Sequence, residues 1–398
     1  MPAVQSEELE TQVPVTNRVF KMPDLKPMDA VAALYSSDDL ELSGRIVASL
    51  SDAIFNGSEI RQAGRVQRTM ARVSYRMLQW TTTSGKGKDE KGSEVTVFSN
   101  PVLERSRHPF ARSLLGSSRS ETASLMEGGD SMNGNYVMIA PEIRMNGGLW
   151  DRLFLGSVQG KDVRLRLALE TRATYETARR WLERGEPVRL KAVAAGTGLS
   201  MILAYDKLVR DGYNPELITA TITDREKANI DKTNCLLDNL VTTRENKRGL
   251  GMGYGISANT EDILAENGEE GAAYIARYDV VTAIGILEYF QGFSYRTTEQ
   301  RLKIESPVDA ASAQDLAMRL YAMTTDRASL IVNTYRDDAS TRILELFGRK
   351  FDYRNRENLR SLLASVNFQP VRLVGSGNIY DVEIYEKNPI PMETMAPH

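Results

Sequence analysis

The sequence predicts an α/β protein in which a doubly wound, mostly parallel sheet follows a mainly helical N-terminal domain. From about residue 188 onwards, short β-branched or apolar runs alternate with helical segments. That alternation is typical of parallel strands joined by helical crossovers. The last two runs follow each other without a helix, around Gly375–Gly377. Because a short hairpin joins antiparallel strands, we expect a terminal antiparallel strand in the sheet.

Six runs are predicted as strands of this sheet: Val188–Ala194, Leu217–Thr223, Tyr278–Ile284, Ser329–Asn333, Pro370–Val374 and Ile379–Tyr385. The helices predicted between them are Leu199–Arg210, Arg225–Leu240, Ala311–Met323, Ser340–Phe347 and Asn355–Val366. A long helical tract from Leu149 to Arg184 precedes the first strand. It ends at Gly185 and Pro187, residue types that are frequent where helices stop.

The region before residue 145 shows helical patterns between polar loops. One helix is indicated by large apolar residues at spacings of four and three, namely Val66, Met70, Val73, Met77 and Trp80. The other predicted segments are helices at Met28–Leu34 and Leu40–Phe55, loops at Thr81–Ser93 and Gly116–Asn135, and a short strand at Val95–Phe98. We therefore divide the chain into a mainly helical accessory or cap domain (1–145), a helical connector (146–187) and a sheet domain (188–390).

Composition excludes several classes of protein. Of 398 residues, 41% are hydrophobic and 26% charged, which excludes collagen-like, coiled-coil and wholly disordered chains. The formal net charge of -3 provides no basic field for nucleic acid. One cysteine, Cys235, and two histidines, His108 and His398, do not suffice for an intrachain disulfide or a usual zinc site. No apolar run is long enough to span a bilayer, and Met1–Asn17 lacks signal-peptide character. We expect a cytoplasmic protein with no metal and no membrane partner.

A glycine-rich turn follows the first predicted strand of the sheet. It reads Ala194-Ala195-Gly196-Thr197-Gly198-Leu199-Ser200, and a helix begins there. Glycines let the backbone approach a ligand closely, and open sheets bind ligands at the carboxyl ends of their strands. A tight turn with no ligand is the alternative. A dinucleotide site would need a third glycine where Met201 stands, which weakens a nicotinamide interpretation.

Asp224 ends the second predicted strand. A carboxylate there can accept both hydroxyl hydrogens of a ribose, and we favour this interpretation. The alternative is an N-cap for the helix that follows, because aspartate is a good cap. Each role leaves fewer lone pairs for the other.

Two further segments complete a set of motifs. Ile256–Leu264 reads ISANTEDIL, and Tyr278–Phe290 reads YDVVTAIGILEYF. With the AGTGLS turn and Asp224, they resemble the motifs of class I S-adenosylmethionine-dependent methyltransferases over about residues 188–387. The Tyr278–Phe290 segment is the most specific match. The resemblance implies a Rossmann-like fold and S-adenosylmethionine as cofactor. It implies these cofactor-binding residues: Ala195, Gly196, Thr197, Gly198, Asp224, Asn259, Thr260, Asp262 and Gly285.

The chain departs from the family's motifs at three positions. Ala194 stands where the family commonly has an acid, two residues before the first glycine. Ser200 stands where a third glycine often occurs, and Asn259 replaces the usual acid near adenine. An amide can still accept a hydrogen bond from the exocyclic amine, so we expect Asn259 to be tolerated.

The catalytic candidates are Glu288 and Tyr289, which follow the fourth-strand motif. Tyr289 could line the acceptor pocket, and Glu288 could act as a base or contact the cofactor. The start of a helix with an exposed acid is the alternative. His108 is interpreted as a solvated loop residue of the accessory region.

Arginines recur in two helical segments. Arg61, Arg65, Arg68, Arg72 and Arg76 line one face, which could steer an anionic acceptor, pair with acids or remain solvated. Arg166 could reach the carboxylate of the cofactor, although a surface salt bridge is the more expected role.

Taken with the resemblance, the sequence predicts transfer of a methyl group from S-adenosylmethionine to a small-molecule acceptor by direct displacement. The alternatives are aminopropyl transfer from the same cofactor, a non-catalytic nucleoside-binding scaffold and, last, a nicotinamide oxidoreductase. A homo-oligomer could form through the helical domain.

Overall fold

The computed structural model describes residues 25–36, 40–57, 62–88, 94–105, 141–248, 255–263, 277–289, 293–296, 302–305, 313–346 and 351–388. Its helices are α1 (Pro27–Leu34), α2 (Leu40–Phe55), α3 (Arg65–Thr81), α4 (Pro101–Glu104), α5 (Pro141–Met145), α6 (Leu149–Gly156), α7 (Val158–Leu182), α8 (Leu199–Arg210), α9 (Lys227–Arg248), α10 (Ala313–Ala322), α11 (Ala339–Glu345) and α12 (Arg356–Ala364). Its strands are β1 (Thr83–Lys88), β2 (Glu94–Ser99), β3 (Val188–Ala192), β4 (Ile218–Asp224), β5 (Ile256–Thr260), β6 (Tyr278–Ala283), β7 (Phe293–Arg296), β8 (Leu302–Glu305), β9 (Thr324–Asn333), β10 (Phe368–Ser376) and β11 (Asp381–Lys387).

Seven strands form the main sheet in the order β10-β11-β9-β6-β3-β4-β5. Strands β5, β4, β3, β6 and β9 run parallel to one another, whereas β11 runs antiparallel to both β9 and β10. The predicted fold class is confirmed: the sheet is mostly parallel, doubly wound and Rossmann-like, with an antiparallel strand contributed by the terminal hairpin. Successive strands are added on one side of β3 up to β5 and then on its other side from β6, and this change of side places a ligand-binding crevice at the carboxyl ends of β3 and β6.

Both faces of the sheet are buried. On β6, Val280 belongs to the apolar cluster that contains residues of α7 and α8, while Val281 belongs to the cluster that contains residues of α10 and α12. Successive side chains of a strand point to opposite faces, so a strand covered on both sides needs apolar residues at consecutive positions. This is the physical reason that Tyr278–Ala283 reads as one continuous apolar and β-branched run.

The structure contains strands that the sequence patterns do not predict, β5 and β1 among them. Residues 256–260, which the sequence marks only as part of a motif, form β5 at the edge of the sheet. Partly buried Ile256 and Ala258 alternate with exposed polar residues, but a five-residue run offers too few positions for that alternation to mark a strand. The predicted loop at Thr81–Ser93 was wrong in its first half, since Thr83–Lys88 pairs with Glu94–Ser99. Pairing with the β-branched partner outweighs the low strand propensity of glycine and lysine.

The predicted tract from Leu149 to Arg184 forms two helices. Helix α6 ends at Gly156, and Ser157 caps α7 by accepting a hydrogen bond from the backbone N–H of Gly160 at 3.0 Å. Serine is a preferred N-cap because its side-chain oxygen satisfies a free N–H of the first turn. The 25-residue helix α7 then crosses the sheet and contacts β3, β6, β9, β10 and β11.

The amphipathic pattern of α3 predicted a helix correctly, but its apolar stripe faces outwards. Val66 and Trp80 are exposed by 69% and 87%. The partly buried residues lie on another side of the helix and are Gln67, Ala71, Tyr75, Leu78 and Thr81. Arg65, Arg68, Arg72 and Arg76 are exposed, while Arg61 and the Gly116–Asn135 segment lie outside the described residues.

The N-terminal helices share a core with the sheet. Ala30, Leu34 and Ile46 of α1 and α2 belong to the same apolar cluster as Leu190 of β3. Cys235 of α9 donates a hydrogen bond from Sγ to the carbonyl of Tyr35 at 2.9 Å. The division of the chain at residues 145 and 187 stays a prediction. None of the described helices combines the length and apolarity needed to cross a membrane.

Candidate functional site

The glycine-rich turn lies at the carboxyl end of β3 and adopts the backbone conformation that glycines permit. Gly196 and Gly198 have φ of 59° and 61°. A Cβ on Gly198 would lie 2.6 Å from Cγ2 of Ile222, so the turn packs directly against β4. Ala194 also has a positive φ, 48°, which is uncommon for a residue with a Cβ. The turn is therefore held close to the sheet and presents its backbone at the crevice.

Asp224 ties the end of β4 to this turn. Its carboxylate accepts hydrogen bonds from the backbone N–H of Gly196 (2.8 Å), the backbone N–H of Glu226 (2.9 Å) and Nδ2 of Asn229 (3.1 Å). The bonds to Glu226 and Asn229 hold the segment that leads into α9, but the helix begins at Lys227, so Asp224 does not occupy its N-cap position. A carboxylate has about four acceptor sites, and one of the three bonds reaches into the turn itself.

The end of β5 lies beside Asp224. Asn259 and Thr260 are exposed, as is Asp262 beyond the strand. The backbone N–H of Glu261 donates to the carbonyl of Asp224 at 3.0 Å, which continues the ladder between the two strands. The three predicted residues therefore lie at the same edge of the sheet as the glycine-rich turn.

A buried ion pair under this edge was not predicted. Lys191 of β3 is 2% exposed, and its Nζ lies 2.5 Å from Oε2 of Glu261. Nζ also lies 5.4 Å from the ring centroid of Tyr278. The available signal was a lysine between the apolar residues Leu190 and Ala192 of a central strand, because charged side chains are rarely buried without a partner.

Gly285 lies on the other side of the crevice, after β6. It has φ of 76°, and its backbone N–H donates to Oδ1 of Asn333 on β9 at 2.7 Å. A Cβ at this position would lie 3.2 Å from Nη1 of Arg166. The absence of a side chain on Gly285 therefore makes room for the guanidinium of α7.

Glu288 is buried and paired, contrary to the alternative of an exposed acid at a helix start. It lies in a 3₁₀ turn, Leu287–Tyr289, and Oε1 is 3.3 Å from Nη1 of Arg166. The surface salt bridge expected for Arg166 was wrong in its location, since the two side chains are 14% and 2% exposed. Tyr289 ends the same turn, and its side chain lies outside the described residues, as does His108.

Glu170, one turn after Arg166 on α7, is a further buried acid that sequence reasoning missed. Burial raises the pKa of its carboxyl to about 7, against hydrogen bonds from Ser200 and Thr282 and the charge of Arg166, which lower it. Its only signal in the sequence is its position four residues after Arg166, on the same face of a helix.

The terminal hairpin places an aromatic ring against Arg166. The guanidinium lies 4.5 Å from the ring centroid of Tyr380. Asp162, at the start of α7, accepts hydrogen bonds from the backbone N–H of Ile379 (2.5 Å) and Nδ2 of Asn378 (3.2 Å). Burial raises the pKa of Asp162, and these hydrogen bonds lower it. Asp162 thus fixes the hairpin turn that carries Tyr380. Among the described residues, no group of three or more His, Cys, Asp and Glu side chains could hold a metal ion.

No protein-family model matches the chain, and a search of curated proteins finds no match. Solved structures show similarity at low identity. The magnesium protoporphyrin IX methyltransferase of Synechocystis with bound SAH is 14% identical over 57% of this chain and 87% of its own, with a TM-score of 0.33. The 1,6-didemethyltoxoflavin-N1-methyltransferase of Burkholderia thailandensis is 14% identical over 58% of this chain and 83% of its own, with a TM-score of 0.34. A possible exported protein of Bordetella parapertussis is 13% identical over 83% of this chain and 99% of its own, with a TM-score of 0.43.

The topology itself assigns the fold. Counted along the chain, the parallel strands follow the doubly wound order 3-2-1-4-5, and the antiparallel β11 lies between β9 and β10. This is the Rossmann-like fold of the class I methyltransferases, the superfamily that the motifs resemble. The quoted motifs, the turn and the terminal hairpin all belong to that one sheet.

Proposed function

We propose that the protein binds S-adenosylmethionine at the carboxyl edge of the sheet and transfers its methyl group to a small-molecule acceptor. The observation that carries the proposal is the hydrogen bond between Asp224 and the backbone of Gly196. It joins an acid after the second strand to the glycine-rich turn after the first. In an open α/β sheet, this is where a nucleoside ligand is expected.

The residues present fit the cofactor. The turn Ala195–Gly198 would lie along the cofactor with its backbone, since Gly196 and Gly198 add no side chain there. Asp224 would accept a ribose hydroxyl hydrogen at Oδ2, which has one acceptor site left beside its hydrogen bond from Gly196. The exposed side chains of Asn259, Thr260 and Asp262 would meet the adenine, and Gly285 would border the opposite side.

S-adenosylmethionine supplies a methyl group on a sulfonium, which an acceptor displaces directly. The protein's main contribution would then be to hold the two partners in line. Glu288 is held by Arg166, which favours a positioning or contact role over a role as base. Tyr289 follows it and would line the acceptor side. A small-molecule acceptor is proposed because the net charge of -3 offers no basic field for nucleic acid.

Calorimetric titration with S-adenosylmethionine and, separately, with NADH tests the proposal. We expect micromolar binding of S-adenosylmethionine and no binding of NADH. Asp224→Asn keeps the shape of the side chain, but removes its charge and an acceptor oxygen, so it should weaken S-adenosylmethionine binding by about tenfold or more. Asp231→Asn is the matched control, because Asp231 lies on α9 and pairs with Lys227 at the surface.

The outcomes separate the alternatives. Tight NADH binding without S-adenosylmethionine binding would overturn the proposal in favour of an oxidoreductase. Binding followed by release of 5′-methylthioadenosine, instead of S-adenosylhomocysteine, would identify aminopropyl transfer. Binding with no product from any acceptor in a screen would favour the scaffold.

A further inference from the structure

A cluster of two buried acids and one partly buried arginine lies where α7 crosses the carboxyl ends of β3 and β6. Arg166 and Glu170 come from successive turns of α7, and Glu288 comes from the turn after β6. Glu170 is 5% exposed, and its carboxyl lies close to the hydroxyls of Ser200 and Thr282. These two hydroxyls belong to α8 and β6, the elements on either side of the crevice.

The position of Glu170 accounts for two departures from the family's motifs. Ala194 stands where the motif commonly has a carboxylate, at the end of β3. Ser200 stands where a third glycine often occurs, and its hydroxyl is one of the groups that bind Glu170. An acid missing from the strand is therefore matched by an acid on the helix that crosses the same strand end.

Two side chains contact the guanidinium of Arg166, and a glycine makes room for it. Glu288 binds Nη1, the Tyr380 ring lies 4.5 Å from the guanidinium, and Gly285 leaves the space that a side chain would fill. A planar guanidinium offers five donors and suits bidentate recognition of a carboxylate. Its fixed orientation reduces the side-chain entropy that binding a ligand would cost.

Burying these groups is unfavourable unless a partner compensates. A buried carboxyl loses hydration, and the cluster of one arginine and two acids becomes net negative once both acids are ionised. A zwitterion with an additional positive centre complements such a cluster. S-adenosylmethionine has a carboxylate, an ammonium group and a sulfonium at one end of the molecule.

We propose that Arg166 and Glu170 together bind the amino-acid end of the cofactor, Arg166 at its carboxylate and Glu170 at its ammonium group. Glu288 and Ser200 are positioning residues for the arginine and the glutamate. The helix α7 thus supplies the anchor that the motif places on the strand in related chains. This inference rests on the proposed function, because it assigns part of the same site.

Titration with two product analogues tests it. S-adenosylhomocysteine contains the amino-acid end, whereas 5′-methylthioadenosine lacks it and keeps the nucleoside. We expect the wild-type protein to bind S-adenosylhomocysteine more tightly. Glu170→Gln and Arg166→Met should each weaken S-adenosylhomocysteine binding by about tenfold or more. Their affinity for 5′-methylthioadenosine should stay within about twofold, since the nucleoside contacts are untouched.

Two further variants keep the test interpretable. Glu176→Gln is the control, because Glu176 lies on α7 and pairs with Arg372 at the surface, away from the cluster. Ser200→Ala removes one hydroxyl from Glu170 and should weaken S-adenosylhomocysteine binding alone, even if Glu170→Gln or Arg166→Met fails to fold. Thermal melting of each variant checks its folding.

The possible results distinguish the anchor proposed for the amino-acid end from the proposed binding of S-adenosylmethionine itself. Wild-type binding of S-adenosylhomocysteine that survives both substitutions, or equal losses for the two ligands, would overturn the anchor and leave the cofactor assignment standing. A wild-type protein that binds neither analogue and no S-adenosylmethionine would overturn both proposals. A loss confined to S-adenosylhomocysteine supports the anchor.

Discussion

Lys191 and Glu261 form an ion pair: Nζ of a buried lysine on β3 lies 2.5 Å from Oε2 of a glutamate just beyond β5. Strand β4 lies between them. The pair therefore fastens the segment with the proposed adenine contacts to the centre of the sheet.

Lys191→Met should lower the free energy of unfolding by about 3 kcal/mol, because it leaves Glu261 without its buried partner. The double variant Lys191→Met/Glu261→Gln should recover part of the loss, since no uncompensated charge remains. Urea denaturation of the four proteins in this cycle measures the coupling. Additive effects of the two substitutions would contradict a stabilising pair.

Gly198→Ala should destabilise the protein by two separable effects. The positive φ of 61° disfavours any side chain, and the new Cβ would lie 2.6 Å from Ile222. Gly185→Ala is the matched control, because its φ is 73° and a Cβ there meets nothing within 4 Å. We expect a loss of about 1 kcal/mol for Gly185→Ala and about 2–4 kcal/mol for Gly198→Ala. Equal losses by chemical denaturation would show that contact with Ile222 is unimportant.

Stability should fall as the pH rises from about 4.5 to about 7 because of Glu170. Its pKa is raised from 4.5 to about 7, so in this window the folded protein keeps a proton that the unfolded chain releases. The groups that face it are Arg166 on its own helix and the hydroxyls of Ser200 and Thr282. The full effect at pH 8 is on the order of 3 kcal/mol. Glu170→Gln should lose this part of the pH dependence in urea denaturation at pH 5 and pH 8, whereas Glu176→Gln should retain it.

Binding of S-adenosylmethionine near pH 6.5 should release up to about one proton if its ammonium group meets Glu170. The added positive charge favours the ionised carboxylate and so lowers its pKa. Calorimetry in two buffers of different ionisation enthalpy measures the release. Glu170→Gln should abolish it, and a wild-type protein that binds without releasing a proton would argue against this contact.

Much of the sheet could be predicted because its central strands carry their own signal. Tyr278–Ala283 is buried on both faces, so its consecutive apolar residues mark it without reference to the rest of the chain. Strand β5 is only five residues long, and Ser257, Asn259 and Thr260 are exposed, so its pairing with β4 is what fixes it as a strand. The first half of the predicted Thr81–Ser93 loop likewise became β1 through pairing with β2. Such pairings depend on residues elsewhere in the chain, which local patterns do not contain.

The sequence by itself determined the class of the fold, the turn at Gly196–Gly198 and the acid at Asp224, because each depends on residue type and local order. Only the tertiary structure decided that Arg166 pairs with the buried Glu288, that Glu170 lies close to Ser200 and Thr282, and that the apolar stripe of α3 faces outwards. The period of a helix shows which residues share a face. Which face is buried depends on the elements that pack against it, and buried charges find partners far away in the chain.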